Sequence, residues 1–74
     1  SNSLWVGGVP YDVTEDDLRN PFQKFGTIEN IRLLPAKKCA FITFSATAEA
    51  TSALKEMQGF DIRGERIRLN YGHA

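Results

Sequence analysis

Seventy-four residues with 42% apolar and 24% charged side chains describe one small domain, near the lower limit of what folds alone. A formal net charge of zero excludes a strongly basic surface that binds nucleic acid by bulk electrostatics. A single cysteine excludes an internal disulfide, no Cys/His grouping has zinc spacing, and no apolar run reaches the about 18 residues of a membrane span or forms a signal-peptide leader.

"LWVGGV" at 4–9 is a short apolar run closed by glycine and Pro10, read as a strand and turn. In "TEDDLRNPFQKFG" Thr14 is a helix N-cap, with Asp17 placed for a capping box and acidic residues filling the first turn. Leu18, Phe22 and Phe25 share one helical face and Gly26 ends the helix. Pro21 removes a backbone hydrogen bond there, so the reading expects a kink near residue 20 or a short first turn. "TIENIRLL" at 27–34 alternates as a second strand, "PAKK" is a short hairpin link, and "KKCAFITF" at 37–44 is a third strand. Ala50, Ala53, Leu54 and Met57 lie at helical spacing in "ATAEATSALKEMQG", with Ser45 as the N-cap and Gly59 as the stop. "FDIRGE" is a turn-rich connector, and "RIRLNY" at 66–71 is the fourth strand, Arg66, Arg68 and Asn70 opposite Ile67 and Leu69.

The order strand, helix, strand, strand, helix, strand specifies an α+β, ferredoxin-like βαββαβ fold with two helices on one face of a four-stranded antiparallel sheet. The opposite face is then open. Alternation assigns it Trp5, Arg32, Leu34, Lys37, Cys39, Phe41, Thr43, Arg66, Arg68 and Asn70, with Tyr71 inward by strict alternation and outward if a bulge intervenes. Charge supports a locally basic face despite the neutral total: residues 28–44 balance to +2 and 61–74 to +1, against −2 for 11–27. Two rings on a polar, basic sheet suit stacking of unpaired bases, at about 1–3 kcal/mol per base, with cations on phosphates.

Over its length the chain resembles the RNA recognition motif (RRM) family, as a single module at 1–74; a start at Ser1 without methionine reads as a module cut from something longer. "LWVGGV" looks like the family's strand-one hexapeptide with Trp5 at the aromatic position, and "KKCAFITF" like the strand-three octapeptide. Lys37, Ala40, Phe41 and Phe44 match, Ile42 stands for valine, Lys38 stands where glycine is usual and Cys39 where a stacking aromatic is usual. The resemblance implies single-stranded RNA as partner, stacked on Trp5 and Phe41 with Lys37 on a phosphate, and Cys39 puts a third platform in doubt. "CAFITF" and the "RIRLNYG" ending are similar to RRMs of TIA-like, oligouridylate-binding, Spen-family and spliceosomal proteins, which points to uridine-rich RNA. It further implies a role in mRNA processing or regulation, in the nucleus with shuttling to the cytoplasm.

Two other classes compete. An RRM-like protein-interaction module would bind a partner peptide through the acidic first helix at Glu15, Asp16 and Asp17, but the Arg-x-Phe expected before strand four is missing from "GFDIRGE". An enzyme lacks its parts, so neither catalysis nor a cofactor is expected. "GGVPYD" has no basic residue for a phosphate loop, Cys39 has no partner base, and the only histidine, His73, falls in the C-terminal tail.

Overall fold

The computed structural model describes residues 1–72. Its elements are β1 (Ser3–Gly7), α1 (Glu15–Phe22), β2 (Ile28–Leu34), β3 (Cys39–Phe44), α2 (Thr47–Met57), β4 (Asp61–Ile62), β5 (Glu65–Arg66) and β6 (Arg68–Tyr71). β2, β3, β1 and β6 form one antiparallel sheet in that spatial order, with β1 and β3 central. The two helices cover one face. Their apolar stripes, Leu18 and Phe22 from α1 and Ala50, Ala53 and Met57 from α2, meet the inward set Leu4, Val6, Ile31, Ala40, Ile42, Phe44 and Leu69. Alanines on α2 let its backbone approach the sheet closely, and both are fully buried. No helix among the described residues is long and apolar enough to cross a membrane.

The start of α1 follows from local chemistry. Thr14 Oγ1 accepts from the Asp17 amide at 3.2 Å, and an Asp17 carboxylate oxygen accepts from the Thr14 amide at 2.9 Å. This capping box satisfies two of the orphan donors at a helix N-terminus. Its hydrogen bond from the Thr14 amide, more than any other influence, holds the Asp17 carboxyl below the usual carboxylate range, and the Arg63 charge adds to it. Pro21 lies inside α1 and does not end it. α1 runs through it to Phe22, and a 3-10 turn over Gln23–Phe25 completes the element and still places Phe25 against the core. At the seventh helical position Pro21 leaves the Asp17 carbonyl without its intrahelical amide partner.

Three other boundaries differ from the sequence reading. Lys37 is not in strand three: Pro35–Lys37 form a 3-10 turn, Lys38 is left-handed at φ 51°, and β3 begins at Cys39. The Lys38 carbonyl accepts from the Gly8 and Val9 amides at 3.0 and 3.1 Å, which ties this turn to the end of β1. Nor does Arg66 belong to the main sheet. Arg63 and Gly64 both have positive φ, the signature of a two-residue type I′ hairpin, so 61–66 fold back on themselves as β4 and β5. Asp61 closes the turn by accepting from the Gly64 amide at 2.9 Å. The N-cap of α2 is Ala46 rather than Ser45, whose hydroxyl instead donates to Glu49 at 2.7 Å.

Candidate functional site

The uncovered sheet face is a small lattice set by strand register. One row reads Arg32, Phe41, Trp5 and Asn70 across β2, β3, β1 and β6. The next reads Leu34, Cys39, Gly7 and Arg68. Cross-strand partners share a face and stand about 4.5–5.5 Å apart at Cβ. The half-exposed rings of Trp5 and Phe41 are therefore immediate neighbours on the two central strands, with an arginine and an asparagine as the row's ends.

Gly7 sets the attitude of the indole. A Cβ on Gly7 would stand 2.1, 2.6 and 2.7 Å from Trp5 Cη2, Cζ3 and Cζ2, so the six-membered ring lies flat across this glycine. Side chains two apart on a strand share a face, and an aromatic leans over its neighbour only where that neighbour has no side chain. Cys39, beside Gly7 in the same row, is on the expected face but is not exposed: it is 5% accessible. A small thiol between Leu34 and the indole-covered Gly7 is roofed by larger neighbours, so it is bedding for the platform rather than part of its surface. Gly72 does the same for the second ring, since a Cβ there would stand 3.0 Å from Phe41 Cδ1.

Of the remaining expected residues, Arg32, Arg68 and Asn70 are exposed on this face, and Leu34 and Thr43 are half-buried. The Thr43 hydroxyl is engaged with Ser3 at 3.0 Å. Lys37 is exposed in the 3-10 turn at the end of the sheet, and Arg66 is exposed on the separate hairpin. Tyr71 takes the inward phase, paired with Leu4, yet stays 37% exposed at the sheet edge, with its hydroxyl 2.8 Å from Thr51 on α2. Its residue still helps close a pocket of ≈210 Å3 with Trp5, Phe41 and Gly72.

A second pocket, of ≈370 Å3, lies between Trp5 and β6 and is lined by Gln58, Arg68, Leu69 and Asn70. Gln58 escaped the sequence reading. Its amide donates to the Leu69 carbonyl at 2.9 Å and accepts from the Leu69 amide at 2.7 Å, so a side chain just past α2 imitates a neighbouring strand along the open edge of β6. Nothing local marks a glutamine for that role. Gly7 did carry a signal: a glycine two residues from an outward aromatic on the same strand.

Among the described residues no group of three or more His, Cys, Asp or Glu side chains could hold a metal ion, and His73 lies outside them. Arg63 is no free surface cation, since its guanidinium bridges Asp12 at 2.9 Å and Asp17 at 3.1 Å.

Comparison with known proteins places this geometry. The model of the RNA recognition motif matches residues 4–68. Protein NAM8 of Saccharomyces cerevisiae is 38% identical over the whole of this chain, which covers 14% of that protein. The polyadenylate-binding protein RBP45A of Arabidopsis thaliana is 32% identical, again over the whole chain and over 19% of its own length. A solved structure, the NMR structure of the C-terminal RRM domain of poly(U) binding 1, superposes with a TM-score of 0.89 at 29% identity, covering 97% of this chain and 71% of that one. The chain thus spans less than a fifth of the length of these two curated relatives, and it belongs to the RNA recognition motif family.

Proposed function

We propose that this RNA recognition motif binds single-stranded, uridine-rich RNA on its open sheet face, holding two consecutive bases on Trp5 and Phe41. The observation that carries the reading is the pairing of two half-exposed rings on the central strands of an uncovered sheet, in one row with Arg32 and Asn70. Each stacked base contributes about 1–3 kcal/mol without demanding a particular base, since every base has a π-face. Arg32 and Arg68 flank the rings, and Lys37 stands at the sheet end near the turn, positions suited to phosphates. In this reading the module binds and releases RNA without chemical change. The names of the similar proteins, polyadenylate-binding and poly(U) binding, support single-stranded RNA as the ligand. Within a longer protein the module would serve mRNA processing or regulation, in the nucleus with passage to the cytoplasm.

Substitution of either ring tests this. Trp5→Ala and Phe41→Ala each weaken binding of a uridine heptamer by about 1–3 kcal/mol while the amide NMR spectrum stays folded. Unchanged affinity in both variants refutes the assignment.

A peptide-binding role for α1 is the second reading, and the groove of Asp16, Asn20, Pro21, Phe60 and Asp61 is its observation. The acidic start of α1 is largely spent within the domain, however. Asp12 and Asp17 hold Arg63, and Glu15 holds Arg19 at 3.3 Å. Chemical-shift changes on α1 with a partner peptide, and none on the sheet with RNA, would reverse the ranking.

A further inference from the structure

We propose that the corner where the turn between β1 and α1 meets Lys38 and Arg66 takes a further nucleotide of the bound strand, its base on the exposed ring of Tyr11 and its phosphate on the two cations. The inference rests on the RNA-binding reading and extends the binding surface past the end of the sheet.

Tyr11 is 76% exposed, against 40% for Phe60 and 37% for Tyr71. The turn that carries it is held from several sides. Val9, Pro10 and Val13 are buried around it, and the Val13 amide donates to the Pro10 carbonyl at 3.1 Å. Arg63 donates to the Asp12 carbonyl at 3.3 Å and reaches the Asp12 carboxylate at 2.9 Å. A ring on so fixed a base loses little conformational freedom when a ligand docks against it.

A lone exposed ring is common on protein surfaces, and what singles this one out is its neighbours. Beyond the row of Cys39, Gly7 and Arg68, the Lys38 carbonyl accepts from the Gly8 and Val9 amides at 3.0 and 3.1 Å. A Cβ on Gly8 would stand 3.2 Å from the Arg66 carbonyl, so Gly8 lies between the backbones of Lys38 and Arg66. Both cations are exposed, and neither makes an ion pair among the described residues. The acid of the turn, Asp12, is engaged by Arg63, and Glu65 alternates to the face opposite Arg66. Lys38 stands at φ 51°, where glycine would be less strained, and such strain points to a use outside stability. The indole of Trp5 leans over Gly7, toward this corner. From Gly7 to Tyr11 the chain covers at most about 14 Å even fully extended, within reach of a strand leaving the indole in that direction. Ring and cations then serve the two parts of one nucleotide, its π-face and its phosphate.

Two strands test the subsite: a uridine dinucleotide, long enough only for the two sheet rings, and a uridine heptamer. Each is titrated against the folded chain by NMR. Tyr11→Ala should weaken the heptamer roughly five- to tenfold and leave the dinucleotide within about twofold, and Tyr11→Phe should restore heptamer binding. Lys38→Gly should also weaken the heptamer while raising the melting temperature. Its plot of log affinity against log salt should be shallower by about 0.7, the share of one phosphate on a single strand. The amide signals of residues 11–13 should move with the heptamer and stay in place with the dinucleotide. Native heptamer affinity in Tyr11→Ala, together with loss in Trp5→Ala, overturns the subsite and leaves the RNA-binding reading standing. Equal losses for both strands in Tyr11→Ala also overturn it, since the ring then acts through the fold. Failure of the native chain to bind either strand overturns both.

Discussion

Replacing Gly7 with alanine should leave the fold intact and yet impair the binding face. Gly7 is not among the residues with positive φ, so its backbone accepts a side chain. In the unfolded chain alanine restricts the backbone, which by itself stabilises a compatible site by about 0.4–1 kcal/mol. The new Cβ, however, would stand 2.1–2.7 Å from three carbons of the Trp5 indole. Carbon atoms rest about 3.5–4.0 Å apart, so the ring must lift or rotate by more than about 1 Å at its far end. The strain and the lost sheet contact offset the entropic gain, and net stability should change by less than about 1 kcal/mol. RNA affinity should not be spared. A displaced ring forfeits much of its stacking, so a uridine heptamer should bind about 1–2 kcal/mol more weakly, roughly five- to thirtyfold. The chain has one tryptophan, so its emission reports the ring directly. Lifting the indole should also uncover Cys39, 5% accessible in the native fold, to a thiol reagent. The assays are thermal denaturation, intrinsic fluorescence, thiol labelling and anisotropy titration on both proteins. Wild-type affinity together with unshifted emission in Gly7→Ala would refute the argument that the indole lies on Gly7.

Thr14→Ala removes the N-cap acceptor and should cost about 1 kcal/mol in urea denaturation, with no effect on RNA binding. The Asp17 carboxyl, lowered in the folded state, contributes stability that is present above its unfolded pKa and is lost as pH falls through the folded one. The stability gap between the native chain and Asp17→Asn should therefore be full at neutral pH and close below the ordinary carboxylate range, as followed by chemical denaturation across pH. Gln58→Ala deletes both bonds to the Leu69 backbone and should cost about 1–2 kcal/mol, with faster hydrogen exchange at the Leu69 amide. Lys38→Gly relieves a left-handed backbone at φ 51° and should raise stability by up to about 1 kcal/mol.

Much of this was legible in the chain because its signals are local. Alternation has period two, so "LWVGG" and "CAFITF" each announce which residues face the core, and the order of elements then leaves one sheet face open. The rings of Trp5 and Phe41 follow from that, as do the capping box at Thr14 and Asp17 and the helical stripe of Leu18 and Phe22. Register then made the rings neighbours. What the chain could not state by itself depends on partners far along it. Cys39 has the outward phase but is hidden, because exposure depends on Leu34 and the indole-covered Gly7 beside it on other strands. Arg66 left the sheet because positive φ at Arg63 and Gly64 closes a hairpin, and a non-glycine residue there gives no compositional warning. The clamp of Gln58 on the open edge of β6 is likewise tertiary, since Gln58 and the Leu69 backbone engage one another across eleven positions. A side chain's direction is set by its own backbone. Whether its surface and its donors remain free is set by what the fold lays against it.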